Sequence, residues 1–279
     1  MNTHPYRHHW LGLALIFILL PAAAPAASLG GQAGPLSWET TPIAQKITAA
    51  ETAKALKQAT AYLGVPAGTK PLAQAFVQVA DTTPYGSVAK TIFYAWRFEI
   101  PGVPVNNRRT GAKEAVTMDI LIDGENRGLV AAFTQKNTAA WVARAPGMQA
   151  RDPLQQMVSD GWRVESPQTT EVRATVSQIL SSLWAATGVN PQQAGQIFMR
   201  PRYVALALPA KREGRKLVPL RRPGTYWVVR VTGTKTLTIA PPPITPTPSP
   251  ARQGAAPYMS GLIALFNDSG QSVRGIYLP

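Results

Sequence analysis

The sequence predicts an α+β protein of two small units, each a helix packed on a curled antiparallel sheet. Three observations predict it. An apolar run, a polar turn with glycine and a second apolar run occur twice, as AVTMDILIDGENRGLVAAF (115–133) and PYMSGLIALFNDSGQSVRGIYLP (257–279). Each follows an aromatic-rich strand pattern, FYAWRFEIPG in the first half and TYWVVRVTG in the second. An amphipathic helix precedes each set of strands.

The first segment stands apart. LGLALIFILL follows a short start containing Arg7 and precedes PAAAPAAS. This is the form of a secretory signal peptide, with cleavage near Ala26. The apolar run is about half of the roughly 20 residues a spanning helix needs, and no later stretch is long and apolar enough to span. Residues 27–40 read as a flexible leader, 41–147 as the first unit and 148–279 as the second.

The first unit opens on a helix over 41–64. Thr41 is placed to cap it, Pro42 suits its first turn, and Gly64 with Pro66 ends it. Ile43, Ile47, Ala50, Leu56, Ala59 and Leu63 form its apolar stripe. LAQAFVQVA (72–80) and TIFYAWRFEI (91–100) alternate as strands. In the second run Tyr94, Trp96, Phe98 and Ile100 make the core face; Phe93, Ala95, Arg97 and Glu99 make the other. Val116, Met118, Ile120 and Ile122 then alternate toward Asp123-Gly124, a hairpin signal, and 136–146 adds a strand.

In the second unit Asp152-Pro153 starts a short helix and WRVES (162–166) a short strand. EVRATVSQILSSLWAATG (171–188) reads as a helix with Val172, Val176, Ile179, Leu180, Leu183 and Trp184 on one face, stopped by Gly188. NPQQAGQIF adds a helical turn. Strands follow at 203–208, 225–233, 236–240, 258–266 and 272–278. PPPITPTPSP (241–250) is an extended proline-rich loop. This outline resembles cystatin-like and PepSY-like modules in topology alone, and no functional residue is carried over from them.

Chemistry is narrowed by what the chain lacks. It has no Cys, and its three His all lie within residues 1–26. Beyond the signal there is therefore no triad base, no thiol nucleophile and no zinc site of the usual kind. No phosphate-binding glycine loop occurs. The expectation is no catalytic residue, no metal and no cofactor. Two enzyme readings remain. One is a Ser–Lys dyad at Ser87 and Lys90, whose TPYGSVAK context reads as a loop before a strand rather than the start of a helix; the other is a carboxylate pair drawn from Glu99, Asp119 and Asp123. Alternation puts Glu99 and Asp119 opposite the apolar faces, as solvated strand positions, and gives Asp123 to the turn.

Charge is the stronger signal. The chain holds 28 Lys+Arg against 14 Asp+Glu; Arg7 alone falls in the signal, so 27 against 14 leaves +13. Between 200 and 222 stand Arg200, Arg202, Lys211, Arg212, Arg215, Lys216, Arg221 and Arg222 against Glu213. YVALAL and KLVPL flank AKREGR there, which predicts a β-hairpin with a cationic tip. Arg108, Arg109 and Lys113 form a second basic loop. Guanidinium groups bind carboxylate and phosphate through two parallel hydrogen bonds, so the expected partner is an acidic protein or an anionic envelope polymer. Nucleic acid is disfavoured, because few aromatics are interleaved. The sequence thus predicts a periplasmic or secreted, non-enzymatic bacterial protein that binds or assembles, as in a secretion or conjugation complex. The alternative is a peptidase inhibitor or propeptide-type module.

Overall fold

A computed structural model of the chain describes residues 30–81, 91–134, 162–165, 172–206, 223–232 and 261–278. The elements expected at 1–26, 136–146, 152–161, 236–240 and 241–250 lie outside the described residues. Among the described residues are strands β1 (Gly31–Ala33), β2 (Leu36–Thr40), β3 (Ala73–Asp81), β4 (Thr91–Asn106), β5 (Lys113–Asp123) and β6 (Leu129–Phe133). Then come β7 (Trp162–Glu165), β8 (Gln196–Leu206), β9 (Gly224–Thr232), β10 (Gly261–Asn267) and β11 (Ser272–Leu278). Helix α1 spans Ala49–Leu63 and α2 spans Val176–Thr187.

All eleven strands belong to one antiparallel sheet. Its order is β1-β2-β3-β4-β5-β6-β8-β9-β10-β11, with β7 paired to β8. The expectation of two helix-on-sheet units is overturned at β6 and β8. Ala132 pairs with Met199 and Phe133 with Phe198. Thr134 continues the ladder: its N–H donates to the Ile197 carbonyl, and its hydroxyl accepts from the Ile197 N–H, both at 2.9 Å. One apolar cluster then holds Ala55 and Leu63 of α1, Phe98 of β4, Ile179 and Leu183 of α2, and Trp227 and Phe266 of β9 and β10. Each half contributes a helix and four successive strands, yet neither keeps a core of its own. The sequence order could not show this, because edge pairing between halves leaves no local pattern.

Both helices start on reciprocal caps. The Thr48 hydroxyl accepts from Glu51 N–H while Glu51 accepts from Thr48 N–H; Thr175 and Gln178 repeat the arrangement. Such boxes satisfy N–H groups that a helix start leaves unpaired. The first helix is shorter than expected. Thr41 and Pro42 do begin a helical turn, but it is a 3-10 turn over Pro42–Lys46 that ends on extended Ile47, and α1 starts afresh after Thr48. Two start signals compete there, and the T-x-x-E box wins. α1 ends on Gly64 at φ 77°, where a Cβ would stand 2.8 Å from the Thr175 hydroxyl. Glycine is needed there for conformation and for space.

The helices cover one sheet face, over Trp96, Phe98, Ile100, Met118, Ile120 and Ile122. The other face is also buried. Residues 31–40, expected to be a flexible leader, form the β1–β2 hairpin, and Leu36 and Trp38 are buried with Val77, Ala95, Leu121, Phe133 and Phe198. Trp38 lies 5.2 Å from Phe133 between ring centroids. The turn glycine, Gly34 at φ 53°, sits against the Phe198 ring. Asp81 of β3 reaches Arg200 of β8 at 2.5 Å. Those strands are four spacings apart, about 19 Å in a flat sheet. The sheet therefore curls sharply, and the face lined by Arg97, Asp119 and Arg200 lies inside the curl.

Candidate binding surface

The expected cationic residues divide three ways. Arg108, Arg109 and Lys113 are exposed at the β4–β5 connection. Arg200 and Arg202 are buried, at 2% and 6% exposure. Lys211, Arg212, Arg215, Lys216, Arg221 and Arg222 lie outside the described residues.

The placement of Arg200 and Arg202 at a cationic tip is corrected. They occupy alternate positions of β8, on the same face as Phe198. Arg200 Nη2 stands 2.5 Å and Arg202 Nη2 3.5 Å from Asp81 Oδ2. Arg202 Nη1 also donates to the Pro201 carbonyl at 3.2 Å. These two arginines join β8 to β3 across the curl. Among the described residues β8 pairs with β9, Val204 opposite Gly224; the KLVPL segment of the expected hairpin lies outside them, as do Ser87 and Lys90.

The carboxylate candidates are also repositioned. Glu99 and Asp119 face each other across β4 and β5. Asp119 is 1% exposed, with Arg97 Nη2 at 2.7 Å from its Oδ1. The Arg97 guanidinium lies over Trp38, 5.5 Å from the ring centroid. The expectation of a solvated Asp119 fails because the β1–β2 hairpin covers this face. Asp123 holds the turn as expected: its Oδ1 accepts from Glu125 N–H at 2.8 Å and Asn126 N–H at 2.9 Å.

The β4–β5 connection is the basic loop whose construction can be followed. Asn107, 2% exposed, organises it. Its Oδ1 accepts from the N–H groups of Arg109 (2.9 Å) and Thr110 (3.3 Å). Its own N–H donates to the Ala112 carbonyl, and its carbonyl accepts from Gly111. Asn closes such loops because a short side-chain amide can stand in for a backbone turn. Both flanking strands are braced. Ser177 of α2 donates to the Pro104 carbonyl, and Ser181 accepts from Asn106 N–H at 2.9 Å. On the β5 side, Asn190 donates to Glu114 Oε1 at 2.7 Å and Gln192 to the Ala115 carbonyl at 2.8 Å. Arg108, Arg109 and Lys113 thus project from a fixed frame, and none is ion-paired among the described residues. The frame was not read from the sequence. The N-x-x-x-G spacing of Asn107 and Gly111 was its local signal.

Among the described residues no cluster of acidic, His or Cys side chains could hold a metal ion, and no helix is long and apolar enough to cross a membrane. Comparison of the chain with protein families, with curated proteins and with solved structures returned no match.

Proposed function

We propose that this is an exported, non-enzymatic protein of the bacterial envelope that binds an acidic protein partner through basic connections between its strands, as a component of a larger assembly such as a secretion or conjugation apparatus. The observation that carries the reading is the β4–β5 loop. Three exposed cations project from a connection held by a buried asparagine and braced on both sides. A loop whose only task is solvation needs no such frame. A preorganised one loses less freedom when it meets a partner. The basic stretch from Lys211 to Arg222 belongs to the connection between β8 and β9 and is assigned the same role. In an antiparallel meander successive connections alternate ends, which sets the β4–β5 and β8–β9 connections at opposite ends of the strands. The inhibitor reading drew on a cystatin-like outline that this sheet does not have.

The test is a crosslinked pull-down from envelope extract. Wild type is compared with Arg108→Glu/Arg109→Glu/Lys113→Glu and with Lys211→Glu/Arg212→Glu/Arg215→Glu/Lys216→Glu. Capture of one or a few proteins by wild type, lost in either variant, supports the reading. Identical capture by all three, or capture only of salt-sensitive anionic polymer, overturns it.

A further inference from the structure

Helix α1 carries an exposed face whose charges are all of one sign. Its buried side is Ala55, Ala59, Thr60 and Leu63. At 100° per residue, the opposite arc carries Ala50, Ala53, Lys54, Lys57, Gln58 and Ala61, all exposed. Lys54 and Lys57 are one helical step apart, where like charges weaken an isolated helix. No acid stands three or four positions from Lys57, on either side. The one acid near Lys54 is Glu51, and it is engaged in the cap: its Oε2 accepts from the Thr48 N–H at 2.8 Å and from the Thr48 hydroxyl at 2.7 Å. Exposed Lys46 and Lys70 flank the helix with the same sign. No lysine of this region is ion-paired among the described residues.

We infer that this face docks an acidic segment of a protein partner. Charge complementarity sets the sign of the occupant. The arc itself argues against a lipid surface, because interfacial helices bury Leu, Phe or Trp beside their lysines and here the arc carries Ala50, Ala53, Gln58 and Ala61 beside them. The face shares no residue with the β4–β5 loop, but its C-terminal end runs toward it: Gly64, which ends α1, packs beside Thr175 and Ser177, and Ser177 donates to the Pro104 carbonyl of the strand that leads into the loop. The two surfaces are told apart by their residues, 50–61 against 107–113.

The experiment uses a fluorescein-labelled helical peptide of Glu and Ala bearing a photocrosslinker, titrated against the purified protein. Crosslinks mapped to 49–61, with affinity falling about tenfold in Lys54→Glu/Lys57→Glu, are expected. Crosslinks confined to 107–113 overturn this inference and leave the proposed function standing. Crosslinks spread over the whole surface, with equal losses in Lys54→Glu/Lys57→Glu and Arg108→Glu/Arg109→Glu, reduce both to general charge. Equal dependence on Lys54 and Lys57 for binding to phosphatidylglycerol vesicles overturns the protein partner. Both exposed-residue variants are checked for unchanged circular dichroism, so loss of binding is not loss of fold.

Discussion

Replacing Asp81 by Ala tests the idea that the curl is closed by charge. The carboxylate serves two guanidiniums, at 2.5 and 3.5 Å, whose side chains are 3% and 7% exposed. Removing it takes the shared carboxylate from two buried cations on the face they share with Phe198. Breaking a buried pair from one side costs about 3–5 kcal/mol. The total stays in that range rather than doubling, because Arg202 is farther away and keeps the Pro201 carbonyl. In a protein of this size each kcal/mol moves the midpoint by about 2–4 °C, so the melting temperature should fall by about 6–20 °C. Thermal and urea unfolding followed by circular dichroism measure it. The triple variant Asp81→Leu/Arg200→Met/Arg202→Leu separates charge from shape. Well-packed apolar replacements of buried ion groups are often neutral or stabilising, and it should unfold within about 1 kcal/mol of wild type. A loss below about 1 kcal/mol for Asp81→Ala would show that apolar packing alone holds β3 toward β8.

Four further outcomes are expected. Phe133→Ala removes a fully buried ring between Trp38 and Phe198 and should cost about 3–5 kcal/mol in urea unfolding. Gly64→Ala should destabilise by about 1–3 kcal/mol, since its φ of 77° and the Thr175 hydroxyl both oppose a Cβ; a neutral result would mean α1 ends differently. Hydrogen bonds from the Thr48 N–H and hydroxyl hold the Glu51 carboxyl below its usual 4.5. The stability they add is therefore complete above pH 4.5 and lost as pH falls through the lowered value. Glu51→Gln keeps the cap, so its unfolding curve should be flatter in acid than that of wild type. Asn107→Ala should leave the melting temperature within about 3 °C yet speed amide exchange at Arg109 and Thr110, because their acceptor is removed.

Local elements were legible where one face pattern and one stop signal agreed. β3, the β5–β6 hairpin and β9 fall where alternation put them. The second helix was expected from 171 but starts at Val176, after the Thr175–Gln178 box, so Val172 lies outside it. The helical turn expected over NPQQAGQIF gives way to β8, which runs back to Gln196 against β9. The capping box TAAE at 48–51 was also present in the sequence, but Thr41-Pro42 offered an earlier start, and the apolar stripe running through Ile43 and Ile47 hid the break. What alternation cannot reveal is whether a polar-looking face is wet. Arg97 and Asp119 read as solvent positions because each is neutralised from the neighbouring strand and the covering hairpin comes from residues 31–40. Trp38 was the one hint that this leader had something to bury. Arg200 and Arg202 misled for a related reason. Asp81 is 119 positions from Arg200, and a run of cations in sequence looks the same whether it points to water or into a closing sheet.

The joint between β6 and β8 has a consequence for how the chain is made. Thr134 and Ile197, which face each other there, are 63 positions apart. At about 5–20 residues per second, roughly 3–13 s pass between synthesis of the one and the other. Until then the first half has every described strand up to β6 but lacks β8, the described neighbour of that strand's outer edge. Phe98 and Ile120 also wait without α2, which later shares their cluster. An open edge beside uncovered apolar surface is the form in which nascent sheets associate wrongly. The interval favours a chain kept unfolded until both halves are present, and it makes a stalled or truncated product more hazardous than a mutated full-length one.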